Sequence, residues 1–254
     1  MLETIDHGPV RELRLARPPA NALDPALIAA LRAAVDGAPA SGARALVLSG
    51  RPGMFSAGLD VPHLLTRDRR AIAAAWEDFY GLMEKLATSS VPIAAAITGH
   101  SPAGGAVLAI FCDYRVMAEG DFRIGVNEVE VGIPMPPVIH AAMSRQVGAR
   151  QAERLCVEAA MISPAEARAI GRVDELAPPE RVVERALDWC RRLLALPPLA
   201  MGFTRRLARG DIACLFEEKR QLELDTLIEA WFSDETQSAM RALVARLAER
   251  RAAS

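Results

Sequence analysis

The stretch TGHSPAGGA, residues Thr98 to Ala106, fits two chemistries, and Pro102 separates them. A serine between a glycine and a turn resembles the sharp strand-to-helix elbow that presents a hydrolase nucleophile. In such an elbow the residue after the serine supplies an oxyanion-hole N–H. Here that residue is Pro102, which has no N–H to give. A triad also needs an acid and then a histidine downstream. His140 is the only histidine after Ser101, with Asp113 and Asp121 the only aspartates between. The other chemistry needs no nucleophile. Phe55-Ser-Ala-Gly-Leu-Asp60 and Pro102-Ala-Gly-Gly105 both put glycine where backbone must approach a ligand. The second also opens a helix, whose free N–H groups and positive dipole end favour negative charge. Two N–H groups from two loops would hold a thioester oxygen as it becomes an enolate.

Loops with that task must leave well-anchored elements. A buried strand, Ala45 to Leu48, runs into the first loop, and a second, Val91 to Ile97, runs into the other. A hairpin comes earlier, Leu2 to Ile5 and Val10 to Leu15 around His7-Gly8-Pro9. Asp24-Pro25 reads as N-cap and first residue of a helix. Long helical patterns cover Asp68 to Ala87 and Gly104 to Cys112, and short strands fit Tyr114 to Met117, Phe122 to Ile124 and Val173 to Leu176. Ser163-Pro-Ala-Glu166 fits a capping box on a helix that ends at Gly171. From Pro136 the pattern is mostly helical. Pro197-Pro198 marks a boundary, so the expected organisation is an α/β body, residues 1–196, and a helical region, residues 197–254. Gly210-Asp211 and Ser233-Asp234 divide that region into three helices. Its apolar stripe, which includes Ile212, Leu215, Phe216, Leu222, Ile228 and Trp231, calls for another domain or subunit to cover it.

The bulk properties leave room for this and exclude other classes. A chain of 254 residues buries roughly 70–75% of its unfolded surface, so it needs no disulfide or metal staple. The formal charge of −2 argues against capture of nucleic acid or an anionic membrane. Cys112, Cys156, Cys190 and Cys214 are widely spaced, with no clustered histidines, which suits reduced thiols and no metal site. The first residues carry acids where a secretion signal needs an apolar run, and no uncharged apolar stretch approaches the ~18 residues of a membrane span. A cytoplasmic location is the expectation.

Taken in order, RPPANALDPAL, MFSAGLD, ITGHSPAGGAVLAIFCDYRVMAE, IGVNEVEVGIPMP and SPAEARAIGRVDEL give the sequence a resemblance to the crotonase (enoyl-CoA hydratase/isomerase) superfamily over nearly its full length. The resemblance implies an α/β fold, a spiral of ββα units with a helical C-terminal trimerisation region. It also implies an acyl-CoA substrate, no cofactor beyond the CoA that the substrate carries, and a homotrimer or a dimer of trimers. By the family's pattern the oxyanion N–H groups fall on Leu59 and Gly104. Ala57 and Val61 fall where the family contacts the adenine end of CoA, and Ala20 and Val107 are further expected substrate contacts.

Members of the superfamily share the enolate hole and differ in their acids and bases. The hydratases carry two glutamates. The first of these positions is Val107 here, which cannot position water or move a proton; the second is Glu128, in VNEVEVG. One carboxylate suffices for allylic isomerisation, taking a proton from C2 of a 3-enoyl thioester and returning it at C4. PAGG followed by an aliphatic residue, with FSAGLD and NE, most resembles the Δ3,Δ2-enoyl-CoA isomerases. The setting of Glu128 among Val126, Val129, Val131 and Ile133 should raise its pKa by desolvation. Glu130, on the same strand face by parity, is the rival base. Asp60 and Asp113 read as turn or cap residues, and His63 and His100 flank the two loops. Trp76, Phe79, Tyr80 and Met83 suit an acyl pocket or plain core. Arg17, Lys219 and Arg220 are candidates for CoA phosphates, with surface salt bridges the simpler reading. Other crotonase reactions (hydration, decarboxylation, thioester hydrolysis) and a non-catalytic CoA-binding subunit stay open.

Overall fold

The computed structural model describes residues 1–216 and 220–252, the side chains of 220–222 and 250–252 excepted. β1 (Leu2–His7) and β2 (Val10–Leu15) form the expected antiparallel hairpin. Asp24 accepts from Leu27 N–H at 2.8 Å and so starts α1 (Pro25–Gly37). From there consecutive strands alternate between two sheets. β3 (Ala45–Ser49) enters the large sheet and β4 (Gly53–Met54) the small one, followed by α2 (Val61–Leu64) and α3 (Arg69–Thr88). β5 (Ile93–Ile97) and β6 (Gly99–Pro102) repeat the step and lead into α4 (Gly104–Ile110). β7 (Tyr114–Ala118) and β8 (Ile124–Gly125) repeat it again. α5 (Pro137–Val147), α6 (Ala149–Val157) and α7 (Pro164–Ala169) follow, α7 with both halves of the capping box between Ser163 and Glu166. β9 (Glu175–Ala177) and α8 (Val182–Leu194) complete the body. The large sheet runs β1-β2-β3-β5-β7-β9, parallel beyond the hairpin, and the small one β4-β6-β8. Each strand pair thus advances one place in both sheets, which is a spiral.

Strands β3 and β5 are buried on both faces, which explains their unbroken apolar runs. Leu46, Leu48, Ile93, Ala95 and Ile97 join the main core, while Ala45, Val47, Ala94 and Ala96 pack under α8 through Val182, Ala186 and Leu187. The two glycine loops follow these strands by way of β4 and β6.

The helical region departs from expectation. Among the described residues it forms four helices, α9 (Pro198–Ala208), α10 (Gly210–Cys214), α11 (Arg220–Trp231) and α12 (Asp234–Ala252). Ile212, Phe216 and Trp231 are covered by the chain's own body, joining the same core as Leu108 and Phe111 together with Leu224, Leu227 and Met240. Of the two expected ways to cover them, another domain or another subunit, the body of the same chain is the one seen. Two arginines at the end of α9 set this path. Arg205 donates to both carboxylate oxygens of Asp113 at 2.8 Å, and Arg209 donates to the carbonyls of Ala87 and Phe111 at the ends of α3 and α4. The face left open is on α9 itself, where Leu199 is 89%, Phe203 64% and Leu207 73% exposed. Among the described residues no helix is long and apolar enough to cross a membrane.

Candidate active site

The first glycine loop is braced by the segment that follows β2. Asn21 donates from Nδ2 to the carbonyls of Met54 (3.2 Å) and Phe55 (3.0 Å). Ala57 N–H donates to Ala20, Gly58 N–H to Ser56 Oγ, and Asp60 N–H to Leu23. The amide between them, Leu59 N–H, has no acceptor among the described residues. Arg17 closes the segment, 2.6 Å from Asp60 Oδ2 and 3.0 Å from Asp24 Oδ2, while Asp60 caps α2 by accepting from His63 N–H. The expected structural role of Asp60 agrees with this, and Arg17 is engaged by two carboxylates.

In the second loop Ala103 N–H donates to Gly125 and Val107 N–H to Ala103, and no side chain caps α4. Gly104 N–H likewise has no acceptor among the described residues. Ala103 enters α4 with φ +45° and ψ −125°, a conformation that strains a residue bearing a Cβ by about 1–3 kcal/mol and persists where surroundings impose it. The two loops touch. Gly58 has φ +83°, and a Cβ there would lie 2.7 Å from Gly104 N, so only glycine lets the two amides come together.

Both amides border one cavity of about 680 Å³. Ala20, Ala57 and Val61 form part of its wall with Leu59 and Gly104, and Glu128 belongs to the same wall. Val107, expected to touch substrate, is fully buried in α4 and is not part of that wall. It lies one turn into the helix, and its short side chain ends in the core. Ser101 is fully buried as well, which removes it from any nucleophilic role.

Glu128 begins a 3₁₀ turn, Glu128–Val131, closed by Gly132 at φ +75°. Expecting a strand here was wrong, and the parity argument for Glu130 falls with it. Glu130 is exposed, accepts from Asn127 Nδ2 at 3.1 Å and pairs with Arg246. Glu128 is only 7% exposed, and its Oε2 has no hydrogen-bond partner among the described residues. Burial pushes its pKa up to about 7; Val126, Val131 and Ile133 are buried as well, while Val129 turns outward.

The remaining candidates divide. Trp76 and Phe79 line the cavity, whereas Tyr80 and Met83 are core. His100 is in the wall, its Nδ1 accepting from Arg123 N–H, and His63 meets Arg67 on α2. Lys219 and the side chain of Arg220 lie outside the described residues, as does the side chain of Leu222. Sequence reasoning missed the tail's share of the wall. Trp231, Leu243 and Leu247 belong to it, and Trp231 meets Trp76 edge-on at 6.5 Å. The apolar spacing on α12 was a signal of burial, without information on what would be buried.

A spiral of strand pairs carrying two glycine loops over one cavity defines the crotonase fold class. The chain belongs to the enoyl-CoA hydratase/isomerase family, whose model matches residues 6–252. It is 32% identical over 205 residues to human enoyl-CoA delta isomerase 1, mitochondrial, an alignment covering 80% of this chain and 68% of that one. It is also 32% identical over 194 residues to a putative enoyl-CoA hydratase of Thermus thermophilus, covering 74% and 75%. A crystal structure of human mitochondrial Δ3,Δ2-enoyl-CoA isomerase superposes with a TM-score of 0.93 at 29% identity, covering 98% of each chain.

Proposed function

We propose that the protein moves a carbon–carbon double bond in an acyl-CoA from the 3 to the 2 position, with Glu128 as the single acid–base group. The observation that carries this is the makeup of the cavity's acids. Asp60 and Glu128 are the carboxylates of its wall among the described residues, and Arg17 and the α2 cap engage Asp60. Glu128 alone is free to move a proton, and a pKa of about 7 suits both halves of the task. It takes the C2 proton of a 3-enoyl thioester. The electron pair spreads over a dienolate whose oxygen is met by the N–H groups of Leu59 and Gly104. The same carboxyl then delivers its proton to C4, so nothing is gained or lost overall. No cofactor enters beyond the CoA of the substrate. Relatives named as hydratases match at similar identity, but hydration calls for a second group to handle water, and Val107 stands where the hydratases' first glutamate would be.

The test is to supply a 3-enoyl-CoA and, separately, a 2-enoyl-CoA, following the conjugated thioester by absorbance. Its appearance from the first with little loss from the second is expected; rapid loss from the second would sink the isomerase reading in favour of hydration. A homotrimer is part of the same proposal, supported by the family resemblance and by the open stripe Leu199, Phe203, Leu207. Sedimentation at the monomer mass would overturn it. A cytoplasmic setting is proposed as well, although the human relative's name places that protein in mitochondria; localisation of a tagged full-length chain decides between the two.

A further inference from the structure

The buried carboxylate oxygen Oε2 of Glu128 has no hydrogen-bond partner among the described residues, which leaves the turn that carries Glu128 to hold it in place. Both flanks of that turn are tied to the C-terminal helix α12. On one flank, Thr236, 1% exposed, donates from Oγ1 to the carbonyl of Gly132 at 2.6 Å. Gly132 ends the turn, donating its N–H to Val129, and the next amide, Ile133 N–H, donates to Glu128's own carbonyl at 3.0 Å. A Cβ on Gly132 would lie 2.9 Å from Thr236 Cα, so glycine is what lets α12 come this close. Thr236 is itself seated, its N–H donating to Ser233 Oγ at the start of α12. On the other flank, Arg246 reaches Glu130, whose second oxygen accepts from Asn127, the residue before Glu128. Between these two anchors α12 brings Leu243 into the cavity wall, and Leu247 joins it just past the second.

We propose that Thr236 is a positioning residue, holding the Glu128 turn so that one carboxylate reaches both C2 and C4, which makes α12 a working part of the active site. This rests on the isomerase reading. A carboxylate serving two carbons tolerates little displacement, and small misplacements of catalytic groups cost rate steeply. By the family's pattern the adenine end of CoA meets Ala57 and Val61, and Thr236 is not part of the cavity wall.

Thr236→Val removes the hydroxyl and keeps the shape; Thr236→Ser keeps the hydroxyl. With a 3-enoyl-CoA, Thr236→Val is expected to lower kcat roughly ten- to a hundredfold with KM nearly unchanged, and Thr236→Ser to restore most of it. Circular dichroism and melting temperature verify that both variants fold. Wild-type kcat in the valine variant overturns the proposal. Equal impairment in both variants, or a loss confined to KM, overturns it too. Glu128→Gln assayed alongside keeps the two levels apart. If wild type is inert, or Glu128→Gln keeps its rate, the isomerase reading itself fails. If Glu128→Gln is inactive while Thr236→Val is not, only the positioning role fails.

Discussion

Two buried carboxylates, Asp113 and Glu128, show how much a partner decides. The Asp113 side chain is 9% exposed and fully engaged, by Arg205 on both oxygens, by Arg209 at 3.2 Å and by the N–H of Ile93. Glu128, 7% exposed as a whole residue, is likewise largely out of water and has an oxygen with no partner among the described residues. Removing a charge from water is costly, and opposite charges with hydrogen bonds offset the cost. At Asp113 that offset joins the C-terminal helices to the body. At Glu128 the cost is left standing, so the carboxyl keeps its proton until about pH 7 and can both take and give one. On the proposed mechanism the same functional group is a fastener in one place and a reagent in the other.

Two variants, read in three measurements, test this contrast. Glu128→Gln has the largest expected effect, a loss of isomerase rate on the order of 10³-fold or more in a folded protein, read by the absorbance assay; a loss under tenfold would remove Glu128 from the mechanism. Next comes Arg205→Met, which leaves Asp113 with too few cations and is expected to cost about 3–4 kcal/mol in urea unfolding. A cost below about 1 kcal/mol would mean the pair is not the fastener described.

The smallest effect is on the pH dependence of stability. Glu128 titrates near 4.5 unfolded and near 7 folded, so between these values the native state binds more protons than the unfolded one. Stability contributed by the protonated carboxyl is complete below pH 4.5 and falls away as pH rises through 7, by up to about 3 kcal/mol. Glu128→Gln has no such loss. Its melting temperature is therefore expected to exceed that of wild type at pH 8 and to converge with it toward pH 5, while the kcat/KM of wild type falls on the acid side of about 7. A gap that stays constant with pH would contradict an unpartnered, desolvated Glu128.

Much of this was legible in the order of residues. The hairpin, the long helix α3, the Asp24 and Ser163 caps and the two glycine loops follow from local rules, because turn chemistry and apolar period act over a few neighbours. Pro102 alone removed the hydrolase. Glu128 was identified through the motif around it, but its surroundings were misread: a 3₁₀ turn of four residues leaves no period to distinguish it from a strand. That mistake kept Glu130 as a rival when its side chain faces water.

Sequence by itself determined most of the element types, the glycines that let two backbone loops meet and, through the motif around it, Glu128 as the candidate base, since each depends on the chemistry of single residues or short spacings. Tertiary structure alone decided that the helices after Pro197 fold back on their own body, that Trp231, Leu243 and Leu247 wall the cavity, and that Thr236 touches the turn of Glu128 from more than a hundred residues away. An apolar stripe records that a face must be buried; which surface buries it depends on the path of the whole chain, and here that path is set by Arg205 and Arg209 meeting the body around Asp113.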